Sequence, residues 1–245
     1  MREAWIVARR ELKGYFVSPI AYVVGILFLL VQLTWVGLLA LNHEQPARMD
    51  LFFGLLPLVF LVFMPALSMR LWSEERKLGT LELLMTFPVR ISELIAGKFL
   101  AALLFVGILL VFTLGVPITM SRFGALDWGP VAGGYVASLL LASSYLAVGM
   151  FFSSITREQI VALLLSVVFL AFIYLLGTPL MVVLLSAVGL PGWLTGVLAA
   201  LSPQAYFQSI TRGVMDVGDL TYYVVFAWFF LSANALILVG KRRLG

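Results

Sequence analysis

Six stretches of this chain are almost continuously apolar over about twenty residues, and no other feature restricts its fold as severely. They cover 20–41, 51–69, 99–118, 131–152, 160–176 and 220–240. A hydrocarbon core about 30 Å thick is crossed by a helix of roughly 20 apolar residues. Barrel strands would instead alternate apolar and polar positions over about ten residues. The expected fold is therefore an all-α integral membrane protein with six transmembrane helices, forming one domain over 1–245. Composition agrees: 62% of residues are hydrophobic and 11% charged, against about 25% charged in an ordinary soluble domain. A soluble globular enzyme is excluded. With no cysteine and one histidine, so are disulfides, thiol catalysis and His/Cys metal centres. The first apolar run is too long for a secretory signal and lacks a small-residue cleavage site, so it reads as a retained span.

Between the fifth and sixth runs, 180–188 and 193–201 are apolar but too short to cross, and Gly189, Leu190, Pro191 and Gly192 separate them. Two short helices that enter and leave the same face are expected there, as a re-entrant hairpin over 180–201 shielded by protein or a water-filled cavity. The basic residues favour this over a seventh span. With six spans and a cytoplasmic N-terminus, 13 Lys and Arg fall inside and 3 (Arg48, Arg122 and Arg212) outside; a seventh span gives 11 against 5. The positive-inside rule then places both termini in the cytoplasm of a multi-pass inner-membrane protein.

Residues 1–19 have a pattern of their own. At 100° per residue Trp5, Ala8, Leu12, Tyr15 and Phe16 share one arc, while Arg2, Glu3, Arg9, Arg10 and Lys13 fall mostly on the other, with Ile6 and Val7 off the pattern. This fits an amphipathic helix in the headgroup layer, with Trp5, Leu12 and Phe16 toward lipid and Arg9, Arg10 and Lys13 toward anionic headgroups. The competing reading is a positive flank that only sets topology. Pro19 would end the helix before the first span.

Catalytic groups are scarce. All twelve acids lie in loops or at span ends, which argues against a proton- or sodium-coupled transporter, whose intramembrane carboxylate would be retained for function. His43 sits beside Glu44 and Gln45 in a short outer loop and reads as a solvated residue. No G-x-x-x-x-G-K-[ST] phosphate loop occurs, so any ATP and Mg²⁺ would be held by another chain. The basic balance of +4 follows from topology rather than from a nucleic-acid partner.

The segment after the second run is the most informative. Residues 70–89 mix Arg70, Glu74, Glu75, Arg76, Lys77 and Glu82 with an apolar group, Leu81, Leu83, Leu84, Met85 and Phe87, between Thr80 and Pro88. A charged stretch followed by a short apolar helix suits docking in a partner's groove. The alternative is an interfacial helix that merely joins two spans.

The string Glu74-Glu75-Arg76-Lys77, then Gly79-Thr80-Leu81-Glu82-Leu83-Leu84, Pro88 and Gly97-Lys98 resembles the signature of ABC-2-type transporter permeases, most closely the gliding-motility-associated and copper-processing permeases. The closing Leu201-Ser202-Pro203 and Arg212-Gly213-Val214 extend the resemblance over nearly the whole chain. It implies a permease subunit that dimerises with a second copy or a homologue and is moved by cytoplasmic ABC ATPase subunits, without catalysis of its own. It implies a coupling helix within 74–88, carried by Glu74, Glu75, Arg76, Gly79, Thr80, Leu81, Glu82, Leu83 and Leu84. It also implies an elbow over 1–19 and an outer hairpin over 180–201, and leaves room for an accessory periplasmic or membrane subunit. A membrane scaffold without transport is the reading from a different class, and an enzyme acting on lipid a distant third. Polar positions within the runs, Gln32, Thr34, Ser138, Ser143, Ser144, Ser166 and Asn234, are candidates for a pathway or for hydrogen bonds between helices.

Overall fold

The computed structural model describes residues 2–42, 49–86, 89–124, 126–213 and 216–242. His43, Arg48, Phe87, Pro88 and Val214, named above, lie outside the described residues. The described chain is helical with no strand. Its elements are α1 (Arg2–Val17), α2 (Pro19–Asn42), α3 (Asp50–Ser68), α4 (Arg70–Lys77), α5 (Thr80–Thr86), α6 (Ile91–Phe112) and α7 (Gly115–Phe123). They continue with α8 (Trp128–Ile155), α9 (Gln159–Leu176), α10 (Pro179–Ala187), α11 (Gly192–Ala200), α12 (Pro203–Thr211) and α13 (Val217–Arg242).

Six segments are long and apolar enough to cross a membrane: Pro19–Gly37, Asp50–Lys77, Ile91–Arg122, Trp128–Ile155, Gln159–Leu176 and Val217–Gly240. The six runs read from sequence are these segments, with two boundaries corrected. The second helix does not stop near 69, because α4 continues α3 after a single break at Met69. Pro65, whose missing N–H weakens the helical ladder, lies one turn earlier. The third begins at Ile91 rather than 99, so Gly97 and Lys98 are helical, not loop, residues.

Helix α8 is the centre of the bundle and packs against α3, α4, α6, α9, α12 and α13. Its sequence explains why. In the absence of a hydrophobic drive between helices inside lipid, close packing requires small residues, and Gly133, Gly134, Ala137, Ala142, Ala147 and Gly149 are buried along it. At Gly134 an added Cβ would run into the Phe53 ring, and at Gly149 into the Ser68 hydroxyl. The glycines thus let α3 approach. Phe53 also meets Tyr135 edge to face, with ring centroids 5.6 Å apart. Helix α2 is fastened by Gln32, whose buried Nε2 donates to the Phe52 carbonyl at 2.7 Å.

The stretch before the last span holds two short helices, α10 and α11, of nine residues each. At 1.5 Å per residue each is about 14 Å long, less than half a membrane core. Thr178 accepts from Met181 N–H at 3.4 Å with Pro179 beginning α10, and Gly189, at φ +86°, supplies the left-handed turn after it. A third short helix, α12, follows unexpectedly, burying Pro203, Gln204, Phe207 and Ile210 and packing against α8.

Candidate functional site

At one end of the bundle α1, α4, α5, the start of α6 and the end of α8 converge, and here the charged residues of the signature segment lie. Lys98, on α6, is buried. Its Nζ lies 2.7 Å from Glu75 Oε1 and 3.0 Å from Glu11 Oε1, and 5.2 Å from the centroid of the Trp72 ring. One ammonium therefore ties α6 to α4 and to α1, over the face of a buried indole that adds a cation–π contact. A buried charge is tolerated only when paired, and Lys98 has two carboxylates.

Helix α4 is fixed from a second side by the end of α8. The first amides of a helix have no partner within it, and here Ser153 supplies one. Trp72 N–H and Ser73 N–H donate to Ser153 Oγ at 3.0 and 3.1 Å, and that hydroxyl donates to Met69 O at 2.7 Å. Arg76 Nη1 donates to Ser154 O at 2.8 Å, placing a cation on the negative C-terminal end of α8. Lys77 and Glu158 form an exposed pair at 3.1 Å, which contributes little. Helix α4 ends through Leu78 N–H to Glu74 O at 2.9 Å, with Gly79 at φ +70°, the left-handed position that glycine fills after a helix. Thr80 then opens α5.

The residues expected to face a partner are accordingly divided. Glu74, Gly79, Thr80 and Glu82 are exposed, as are Lys77 and Leu78, the latter at 69%. Arg76 is half-buried on Ser154, Leu81 is buried in the core and Leu84 half-buried against it. Leu83 lies on α5, but its side chain is outside the described residues. Glu75, expected among the docking acids, is turned inward to Lys98. In the sequence Glu75 looks like its exposed neighbour Glu74, because an ion pair between α4 and α6 leaves no local pattern. Lys98 itself was a readable signal: an ionisable residue inside an apolar helix.

Helix α1 lies along α6. An added Cβ at Gly97 would stand 2.6 Å from Val7 Cβ and 2.7 Å from Ala4 O, so a glycine is needed at the crossing. Ala4, Ala8 and Tyr15 are buried. The apolar arc read from sequence is thus split: Ala8 and Tyr15 face protein, and Val7, which seemed off the pattern, packs at the crossing, while Trp5 and Phe16 are exposed beside exposed Arg9 and Lys13, with Leu12 half-buried between. Tyr15 donates to Leu67 O at 3.1 Å, stacks on Phe105 with centroids 5.1 Å apart, and lies under the Arg70 guanidinium, 4.9 Å from its ring. Arg70 also reaches Ser18 Oγ. Burial pushes the Tyr15 phenol well above its ordinary range, against the opposing pull of Arg70.

The polar candidates within the spans divide as well. Gln32 Nε2 fastens α2 to α3, and Ser138, Ser143 and Ser166 donate to carbonyls of their own helices. Thr34 is exposed on the surface of the chain. Ser144 and Asn234 are fully buried, and Ser144 Oγ and both polar atoms of Asn234 have no partner within the described residues.

No curated protein matches the chain. A family model described as ABC-2 family transporter protein matches residues 37–240, the stretch that carries the last five membrane-crossing segments, the signature segment between α3 and α6, and the short helices before α13. The match spans well over half of the sequence, and the chain therefore belongs to the ABC-2 family of transporter membrane proteins.

Proposed function

We propose that this chain is the permease subunit of an ATP-driven transporter, resident in the inner membrane with both termini cytoplasmic, and that α4 and α5 receive the stroke of a separate ATPase holding ATP and Mg²⁺. The supporting observation is the mechanical continuity of α4: it extends the α3 span, is pinned to α1, α6 and α8, and leads through exposed Glu74, Lys77 and Leu78 to exposed Thr80 and Glu82 on α5. A force applied to that tip is carried directly into four helices, three of them membrane-crossing. Rigid-body rocking of one bundle against another is an established way of turning such a force into alternate access.

A second copy or a homologue completes the pathway in this reading. The outer faces of α2, α9 and α13 remain apolar and uncovered within one chain, and the unpartnered polar atoms of Ser144 and Asn234 are the interior positions at which a polar substrate would find hydrogen bonds. The motif from Glu74 to Leu84 supports a place near the gliding-motility and copper-processing permeases, and the reading includes an accessory periplasmic or membrane subunit.

The test is recovery of a phosphate-loop ATPase with tagged chain from native membranes, alongside ATP hydrolysis by the complex. Leu78→Asp and Glu82→Lys, both on the exposed tip, should weaken recovery roughly 30-fold, as loss of an interface hot spot does, with unchanged monodispersity. Undiminished recovery and turnover in both variants would remove the coupling role and favour a scaffold.

A further inference from the structure

Helix α1 offers the bundle its small residues and leaves its bulky ones outside. Along the seam between α1 and α6 runs an open groove of about 180 Å³, lined by Trp5, Ala8, Arg9, Leu12 and Leu104. Four of the five lining residues are apolar, and the fifth is a cation on the α1 side. Leu104 belongs to the exposed strip of α6 formed with Leu100 and Val111, positions four and seven residues apart that share one helix face. The groove thus has a charged end on α1 and an apolar end that continues along a membrane-crossing helix.

An occupant that fits must be amphiphilic along that direction. Its charge is set by what surrounds Arg9. Lys13, one turn along the same face, is exposed, whereas Glu11 is turned to Lys98 and Glu3 falls about 120° around the helix from Arg9. Resting on the interfacial reading of α1, we propose that this groove is a binding site for one anionic phospholipid, with an acyl chain against Leu12 and Leu104, the Trp5 indole along the glycerol region, and the phosphate on Arg9 and Lys13. A cationic patch on a flat helix would gather anionic lipid diffusely. The groove adds an apolar seat beside the Arg9 cation, which a flat patch lacks.

The purified full-length chain, delipidated and exchanged into phosphatidylcholine nanodiscs containing graded phosphatidylglycerol, tests this by native mass spectrometry of retained lipid. Wild type should retain one phosphatidylglycerol in preference to phosphatidylcholine. Arg9→Gln should lower that retention about fivefold, the effect of one basic residue at an anionic surface. Leu104→Trp, which fills the groove without changing charge, should abolish it. Arg90→Gln, which removes an exposed cation at the start of α6 outside the groove lining, should leave it intact. Equal losses in Arg9→Gln and Arg90→Gln with no effect of Leu104→Trp, or no preference in wild type, would overturn the site. No ATPase is present in the measurement, so its failure would leave the coupling role of α4 and α5 standing, and failure of coupling would leave the lipid site standing.

Discussion

Lys98 Nζ lies 2.7 Å from Glu75 Oε1, and the two residues join α6 to α4 in a region from which water is largely excluded. The pair changes what a substitution in the signature segment can report. Glu75→Lys would place two cations against one another with only Glu11 between them, so it tests the fold and not the partner surface. Removing one member of a buried ion pair costs about 3–5 kcal/mol. Lys98→Met, which leaves two carboxylates facing each other, should lower the thermal unfolding midpoint more than Glu75→Gln, which leaves Lys98 on Glu11. Charge exchange, Lys98→Glu with Glu75→Lys, should recover part of the loss. Equal midpoints for wild type and Lys98→Met would contradict the node.

The crossing of α1 over α6 depends on Gly97. A methyl there would meet Val7 Cβ at 2.6 Å and the backbone oxygen of Ala4 at 2.7 Å. Neither a Cβ nor a carbonyl can turn away by changing rotamer; both move only with their helix. Gly97→Ala should therefore displace α1 at a cost of about 1–3 kcal/mol, visible as faster proteolysis within 2–17. Adding Val7→Ala should not restore protection, because alanine keeps the Cβ and the Ala4 carbonyl remains in place.

Much of this architecture was legible because membrane-crossing helices are written in uninterrupted runs; the stop between α10 and α11 is equally plain in Gly189-Leu190-Pro191-Gly192. Helix α12 was missed although Pro203, Gln204, Phe207 and Ile210 recur at helical spacing, because nine residues of mixed polarity carry little hydropathy. Glu74 and Glu82, charged residues of the signature segment, are exposed. The inward turn of Glu75 and the part played by Ser153 were not legible, since both depend on which helix lies opposite, and neighbours in space leave no period in the chain.

Tyr15 should make stability depend on alkaline pH. Its phenol is held above the ordinary tyrosine value by burial, so the folded state keeps a proton that the unfolded chain releases above about pH 10. Stability is then fully present below that value and falls as pH rises beyond it. Tyr15→Phe should cost about 0.5–1.5 kcal/mol at neutral pH through the lost bond to Leu67 O, yet lose less on going from pH 9 to pH 11. Parallel curves for the two proteins would argue against burial of the phenol.

In the proposed topology, six crossings from a cytoplasmic N-terminus put the two ends of the chain on one side. A reporter fused after Gly245 should be active in the cytoplasm, and one inserted near Trp128, between α7 and α8, on the outer side. An outer C-terminus would reverse the choice between six spans and seven, and with it the side on which α4 and α5 emerge.

Ser153 offers the most direct way to separate fold from force transmission. Its hydroxyl accepts from Trp72 N–H and Ser73 N–H and donates to Met69 O, so it closes the break between α3 and α4 from a neighbouring helix. Ser153→Ala removes this cap while leaving the Lys98 node and the exposed tip untouched, at a cost of about 0.5–2 kcal/mol by analogy with ordinary helix caps. With α4 loosened from α8, a push on Leu78 or Glu82 should reach the spans less efficiently. The expected result is near-normal recovery of the ATPase but reduced ATP-driven transport per ATP hydrolysed. Ser153→Thr, which keeps the hydroxyl, should restore much of the ratio. A parallel fall in recovery and transport would mean that Ser153 shapes the docking surface itself, and an unchanged ratio in Ser153→Ala would mean that the stroke does not travel from α4 through α8.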